Sequence, residues 1–188
     1  MTDGLLREFG SLNDALVAPP GRLAKAIGPG PARRLRTFRT LAEAVLAERV
    51  SKRPWVSLEE MARFLNFKIG FSPVELFYAF YLDAAGCVIH SEVVARGSAV
   101  SAQVNARNFI VRASELGACS LLIAHNHPSG VPRPSCSDVE FTAKIARMAE
   151  DFEMRLIDHL VVARGQARSI RRNTLINCAD LPEQCFAM

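Results

Sequence analysis

Cysteine is sparse and unpatterned in this chain. The five residues Cys87, Cys119, Cys136, Cys178 and Cys185 are scattered, and no two of them form a Cys-x-x-Cys pair. That excludes a four-cysteine zinc ribbon, and an odd, dispersed set does not build a disulfide framework, so thiols in a reducing compartment are expected. Long apolar runs are absent too. No stretch approaches the ~18 to 20 uninterrupted residues of a helical membrane span, which excludes integral membrane functions. The N-terminus, from Met1 to Glu8, lacks the basic start and apolar core of a secretory signal. A cytoplasmic location is expected. Neither sign of charge dominates: 23 Lys+Arg against 19 Asp+Glu leave a net charge of +4, too small by itself to mark a nucleic-acid binder. Internal repeats and low-complexity segments are missing as well. What is present, 188 residues at 49% hydrophobic and 22% charged, is the composition of a folded chain, with a length that suits one medium domain, or one plus a small appendage.

The pattern along the chain separates those two parts. Residues 1–52 read as helices, with Leu5, Leu6, Phe9, Leu12, Ala15 and Leu16 at three- and four-residue spacings. A short helix over 22–27 is followed by Ile27-Gly28-Pro29-Gly30-Pro31. The glycines allow a tight turn, and Pro31 suits the first position of a new helix, where a missing N–H costs nothing. That helix carries Leu35, Phe38, Leu41, Ala42, Val45 and Leu46 on its apolar face. Between Arg22 and Arg39 lie six basic residues and no acidic one. Residues 53–70 read as a linker with a short helix over 57–68, whose Ser57 and Glu60 are spaced as a capping box.

From residue 71 to 176 strands and helices interleave, which predicts an α/β domain with a mixed sheet flanked by helices. Alternation from Val74 to Leu82, the turn at 83–86 and a second run over 87–95 predict a hairpin. A helix over 105–116 precedes Leu121-Leu-Ile-Ala124, an apolar run suited to a strand buried on both faces. A helix over 137–152 and a strand over 155–163 follow, and 177–188 reads as a tail.

The chemistry concentrates after the buried run. His125 and His127 follow it, and residues i and i+2 of extended chain project to one side, so their imidazoles can converge. Sites in α/β folds gather at such strand ends. A Pro/Gly loop returns the chain to Asp138, in the first turn of the next helix. Two imidazoles and one carboxylate make a three-ligand zinc set that leaves a fourth position for water. Zinc-bound water needs a carboxylate to take its proton. Glu92 is the candidate, since it shares parity with Val88, His90 and Val94 on an apolar strand, where an ionised group needs a partner. Each residue has a simpler explanation as well. Asp138 suits a helix N-terminus, Ser135 and Ser137 suit N-caps, and Ser137 with Glu140 forms a possible capping box. The histidines could bond a turn backbone. The combination favours the metal. His90 and His159 read as half-buried imidazoles with satisfied partners.

The stretch Ala124-His-Asn-His-Pro-Ser-Gly130, then Pro134-Ser-Cys-Ser-Asp138, resembles the JAMM (MPN+/JAB) metalloprotease motif, and most of all its RadC branch. Asp158-His-Leu-Val-Val162 and the Leu82-Asp83 strand end resemble RadC segments too. The resemblance implies a JAB/MPN fold, cytidine-deaminase-like in architecture. It implies one zinc per chain on His125, His127 and Asp138, Glu92 as acid/base, and Ser135 stabilising a tetrahedral intermediate. The implied activity is hydrolysis of a peptide or isopeptide bond in a peptide or protein substrate. The zinc deaminase reading is set aside, because its signature also needs Pro-Cys-x-x-Cys, which the chain lacks; His90-Ser91-Glu92 stands without it. The N-terminal half resembles the helix-hairpin-helix region that precedes RadC domains. That implies weak, sequence-independent DNA binding through Gly28 and Gly30 with Arg33 and Arg34 nearby, although Pro29 removes one backbone donor. The competing reading is a DNA-repair accessory protein whose metal is structural. No membrane partner is expected, and the sequence leaves the oligomeric state open.

Overall fold

Leucine and alanine at helical spacing build the first fifty residues into four helices. In the computed structural model, which describes residues 2–51, 54, 56–97 and 104–178, these are α1 (Thr2–Phe9), α2 (Leu12–Val17), α3 (Pro20–Ile27) and α4 (Pro29–Ser51). Leu5, Ala15, Leu23 and Ala32 are their buried centre, with Phe9, Ile27 and Leu35 packed around it. Gly28 alone separates α3 from α4, at φ 84° and ψ 156°, a conformation that suits glycine. The new helix therefore starts at Pro29, two residues before the Pro31 start that the sequence predicts. Both prolines sit in the first turn, where a missing N–H breaks no helical bond. The expected apolar face of α4 is only half used, since Phe38, Leu41 and Val45 are exposed.

A second compact unit begins at Arg49. It contains α5 (Leu58–Lys68), β1 (Leu76–Leu82), β2 (Val88–Arg96), α6 (Ala106–Glu115), β3 (Ser120–Asn126), α7 (Cys136–Asp151), β4 (Arg155–Ala163), β5 (Gln166–Ser169) and β6 (Thr174–Asn177). The strands form one mixed sheet in the order β2-β1-β3-β4-β5-β6. Only β3 and β4 run parallel, joined by α7 as their crossover; the other neighbours are antiparallel. The predicted hairpin, the buried strand and the Ser57–Glu60 capping box are all present. Residues 58–68 are no linker: α5 packs Phe64 against Tyr78 and Phe80 on one sheet face. On the other face Phe77, Ala79, Tyr81, Leu121 and Ile123 pack under Phe109 and Ile110 of α6 and Ile145 of α7. This sandwiching explains why β1 is buried at every residue although its sequence alternates. The expected tail keeps Asn177 in β6; residues 179–188 lie outside the described ones.

Two buried polar side chains fix the ends of the layers. Asn126 turns away from its histidine neighbours: its Oδ1 accepts from Leu76 N at 2.8 Å, and its Nδ2 donates to the carbonyls of Ser72 and Val74. It thereby clamps the entry to β1 against the end of β3. Asp158, fully buried in β4, accepts from Ser169 Oγ at 2.7 Å and lies 3.6 Å from Arg172 Nε, which anchors the β5–β6 turn.

Candidate metal centre

β3 extends two residues past the predicted Ala124, so His125 is its penultimate residue and His127 stands one residue beyond its end. The i, i+2 spacing does bring the rings together, with Nε2 to Nε2 at 3.0 Å. Asp138, in the first turn of α7, faces both: Oδ1 is 3.4 Å from His125 Nε2 and Oδ2 is 3.8 Å from His127 Nε2. Among the described residues these three are the group that could hold a metal ion. His125 is fully buried, and Phe77 lies stacked against its ring, with centroids 5.5 Å apart and planes at 17°.

Hydrogen bonds decide which nitrogens carry protons. The Thr142 hydroxyl donates to the Asp138 carbonyl at 2.6 Å, so it can only accept from His159 Nδ1, also 2.6 Å away. Burial first, and then the neighbouring His125, hold His159 well below the ordinary imidazole value, so its ring is neutral. His159 Nε2 is then bare and accepts from His125 Nδ1 at 2.9 Å. His127 Nδ1 donates to the Val131 carbonyl at 3.1 Å. With neutral rings both Nε2 atoms are left bare and face each other at 3.0 Å. Two lone pairs that close repel, and Asp138 adds negative charge beside them. Burial pushes the Asp138 carboxyl up, but the facing His125 ring and the Ser135 hydroxyl and N–H more than offset this, leaving it well below the usual carboxylate range.

Such a donor set fits a cation. Ligands of a tetrahedral zinc at ~2.0–2.1 Å stand roughly 3.3 Å apart. The separations here, 3.0, 3.4 and 3.8 Å, bracket that spacing.

Ser135 is the N-cap of α7. Its hydroxyl accepts from Asp138 N at 3.2 Å and donates to Asp138 Oδ2 at 2.7 Å. The capping box is therefore Ser135–Asp138 and not Ser137–Glu140, and the helix starts at Cys136. The cap and ligand readings of Asp138 coexist, since Oδ2 is held by Ser135 while Oδ1 faces His125.

Glu92 stands apart from the three. It pairs with Ala79, which pairs with Ile123, two residues before His125, so it shares the sheet face of His125. At ~4.8 Å per strand and ~3.3 Å per residue their Cα atoms are roughly 12 Å apart. Its carboxylate has another partner, Arg112 Nε of α6 at 3.3 Å, with His90 Nε2 at 3.7 Å. An inward Glu92 thus does not need a metal to accompany it. His90 Nε2 is buried without a hydrogen bond, against the expected satisfied partner.

His159, expected to be bland and half-buried, is fully buried and bonds directly to a ligand. Thr142 has no sequence signal beyond lying one turn into α7, and the RadC-like stretch around His159 does not announce its contact with His125.

In the first unit, Arg33, Arg34 and Arg36 are exposed, whereas Arg22 pairs with Glu8 and Arg39 donates to the Leu16 carbonyl. At the α3–α4 turn Ala32 N already bonds Gly28 O, and positions 29 and 31 are proline. Gly30 supplies the one remaining first-turn N–H.

The RadC-like JAB domain description matches residues 55–175, the span that holds the sheet and the three ligands. A UPF0758 protein of Rhodobacter capsulatus is 35% identical over 175 residues, 92% of this chain and 82% of its own length. One of Chromobacterium violaceum is 38% identical over 168 residues, 88% of this chain and 75% of its own. In Burkholderia mallei, UPF0758 protein BMA2230 is 38% identical over 161 residues, 84% of this chain and 58% of its own. With the domain match covering more than half of its length, the chain belongs to the RadC-like JAB domain family.

Proposed function

We propose that this chain is a zinc-dependent hydrolase of the JAMM type that cleaves a peptide or isopeptide bond. One observation carries the reading: two imidazole Nε2 atoms 3.0 Å apart that both face the Asp138 carboxylate. Three protein ligands with a position left for water are the arrangement of a catalytic rather than a structural zinc. When bound, zinc supplies Lewis acidity and brings the pKa of its water to ≈ 7. The other tasks fall to side chains. His125, His127 and Asp138 hold the ion, and His159 with Thr142 keeps the proton of His125 on Nδ1. Glu92 takes a proton from water and returns it to the leaving amine, acting from the same sheet face. Ser135 orients Asp138, and donation to a substrate oxygen requires its hydroxyl to leave Oδ2.

The test is metal content followed by cleavage of a peptide library. About one zinc per chain is expected. Equal zinc in the wild type and a His125→Ala/His127→Ala variant would overturn the site. A second reading, DNA attachment through the first unit, draws on its exposed Arg33, Arg34 and Arg36.

A further inference from the structure

A groove of about 630 Å³ lies between the loop that follows His127 and the β5–β6 hairpin. It backs onto the metal centre through its own wall. The Val131 carbonyl accepts from His127 Nδ1, Pro134 precedes the cap Ser135, and Val139 follows Asp138. Its volume falls within the ~300–1,000 Å³ typical of ligand sites. Both walls are preformed. Gly130 holds φ +84°, and a Cβ there would stand 2.8 Å from Arg164 Cδ, so the loop bends in a conformation that favours glycine. Across the groove, buried Asp158 fixes the turn through Ser169 Oγ.

The lining has one sign of charge. Arg133 and Arg168 are its charged residues, and among the described residues no acidic side chain lines it. Arg168 Nη2 donates to Asn173 Oδ1 at 2.9 Å, which orients the guanidinium. Between the arginines the surface is apolar, with Val131, Pro134, Val139 and Leu175. A guanidinium pairs a carboxylate with two parallel hydrogen bonds, and apolar walls favour side chains over a bare phosphate backbone.

We propose that this groove seats an extended peptide segment carrying acidic side chains flanked by apolar ones, as part of the substrate. The proposal rests on the hydrolase reading and names the substrate class for it. Arg133 and Arg168 are the specificity residues; neither belongs to the ligand set.

The test uses the zinc-loaded full chain and fluorescent peptides. Acidic–apolar heptapeptides are compared by anisotropy with the same peptides carrying Asn and Gln for Asp and Glu. Binding at least tenfold tighter for the acidic set is expected. Arg133→Glu should remove that preference while zinc content stays unchanged. Arg168→Gln, a milder change at a half-buried position, should weaken the acidic set alone. Equal affinity for both sets, or variants that bind as the wild type does, would overturn the proposal. So would displacement of the peptide by a short DNA duplex at stoichiometric concentration, which would mark a phosphate-backbone site. Acidic preference in binding without any cleavage would leave the groove standing and sink the hydrolase reading. Cleavage indifferent to acidic residues would do the reverse.

Discussion

Thr142 offers the metal nothing directly, yet its single hydroxyl hydrogen determines which nitrogen of His125 is bare. Spent on the Asp138 carbonyl, it forces His159 to donate and then to accept. Thr142→Val keeps the shape but removes that hydroxyl, and second-shell losses of this kind typically cost ~10- to 100-fold in metal affinity. Competition with a zinc chelator should show such a drop, with the fold intact by circular dichroism. Unchanged affinity would mean that His125 is oriented by Phe77 and packing alone. Glu92→Gln separates catalyst from passive metal protein. Glutamine is nearly isosteric but takes no proton, so zinc should be retained while hydrolysis falls by ~10²- to 10⁴-fold. A Gln variant that cleaves at the wild-type rate moves the base elsewhere, and His90, on the same strand face, is next to test. By contrast, Asp138→Asn should weaken zinc binding itself, because a neutral amide is a poorer ligand.

Elements written in contiguous sequence were legible, and elements that depend on a distant partner were not. Ser57 and Glu60 announce α5 because a capping box closes within one turn. The three candidate ligands could be read together for a similar reason: two sit at one strand end and the third opens the next helix. His159 was not, since its contact with His125 spans 34 residues and exists only through the parallel β3–β4 register. β5 and β6 escaped notice because four residues are too few for an alternation to stand out. Their docking can be followed chemically. Cys178, just after β6, takes a hydrogen bond from Asn66 Nδ2 of α5 at 3.1 Å, and burial pushes its thiol up to about 11. Cys119 and Cys136 are exposed. Alkylation at pH 8, read by peptide mass mapping, should therefore modify those two well before Cys178. The sign for stability follows from the same shift. An unfolded thiol loses its proton above about 8.5. The Cys178 contribution is thus full below that pH and is lost as pH rises toward about 11. Cys178 reacting as fast as Cys119 would mean that β6 does not stay docked on α5.

For the whole molecule, a net charge of +4 says little, and its placement says more. No helix among the described residues is long and apolar enough to cross a membrane. The first unit concentrates positive charge without a neighbouring acid from Arg22 to Arg39, but the structure reduces what is free to act. Arg22 is engaged by Glu8 and Arg39 by the Leu16 carbonyl, which leaves Lys25, Arg33, Arg34 and Arg36 exposed. The α3–α4 turn adds one N–H, from Gly30, where a phosphate cradle needs several. Binding to duplex DNA should therefore be weak and indifferent to sequence. Each neutralised phosphate contributes about −0.9 to the slope of log K against log salt, so four cations allow at most about −3.6. Arg33→Ala/Arg34→Ala/Arg36→Ala should flatten that slope to about −0.9 or abolish binding. Gly30→Pro, which removes the last first-turn donor, should weaken binding modestly and leave the slope nearly unchanged, since it deletes no charge. Zinc removal should not alter the slope, because all three ligands lie in the second unit. Undetectable binding at low salt, or a slope unmoved by the triple arginine variant, would take DNA away from this unit and leave the metal centre as the chain's functional site.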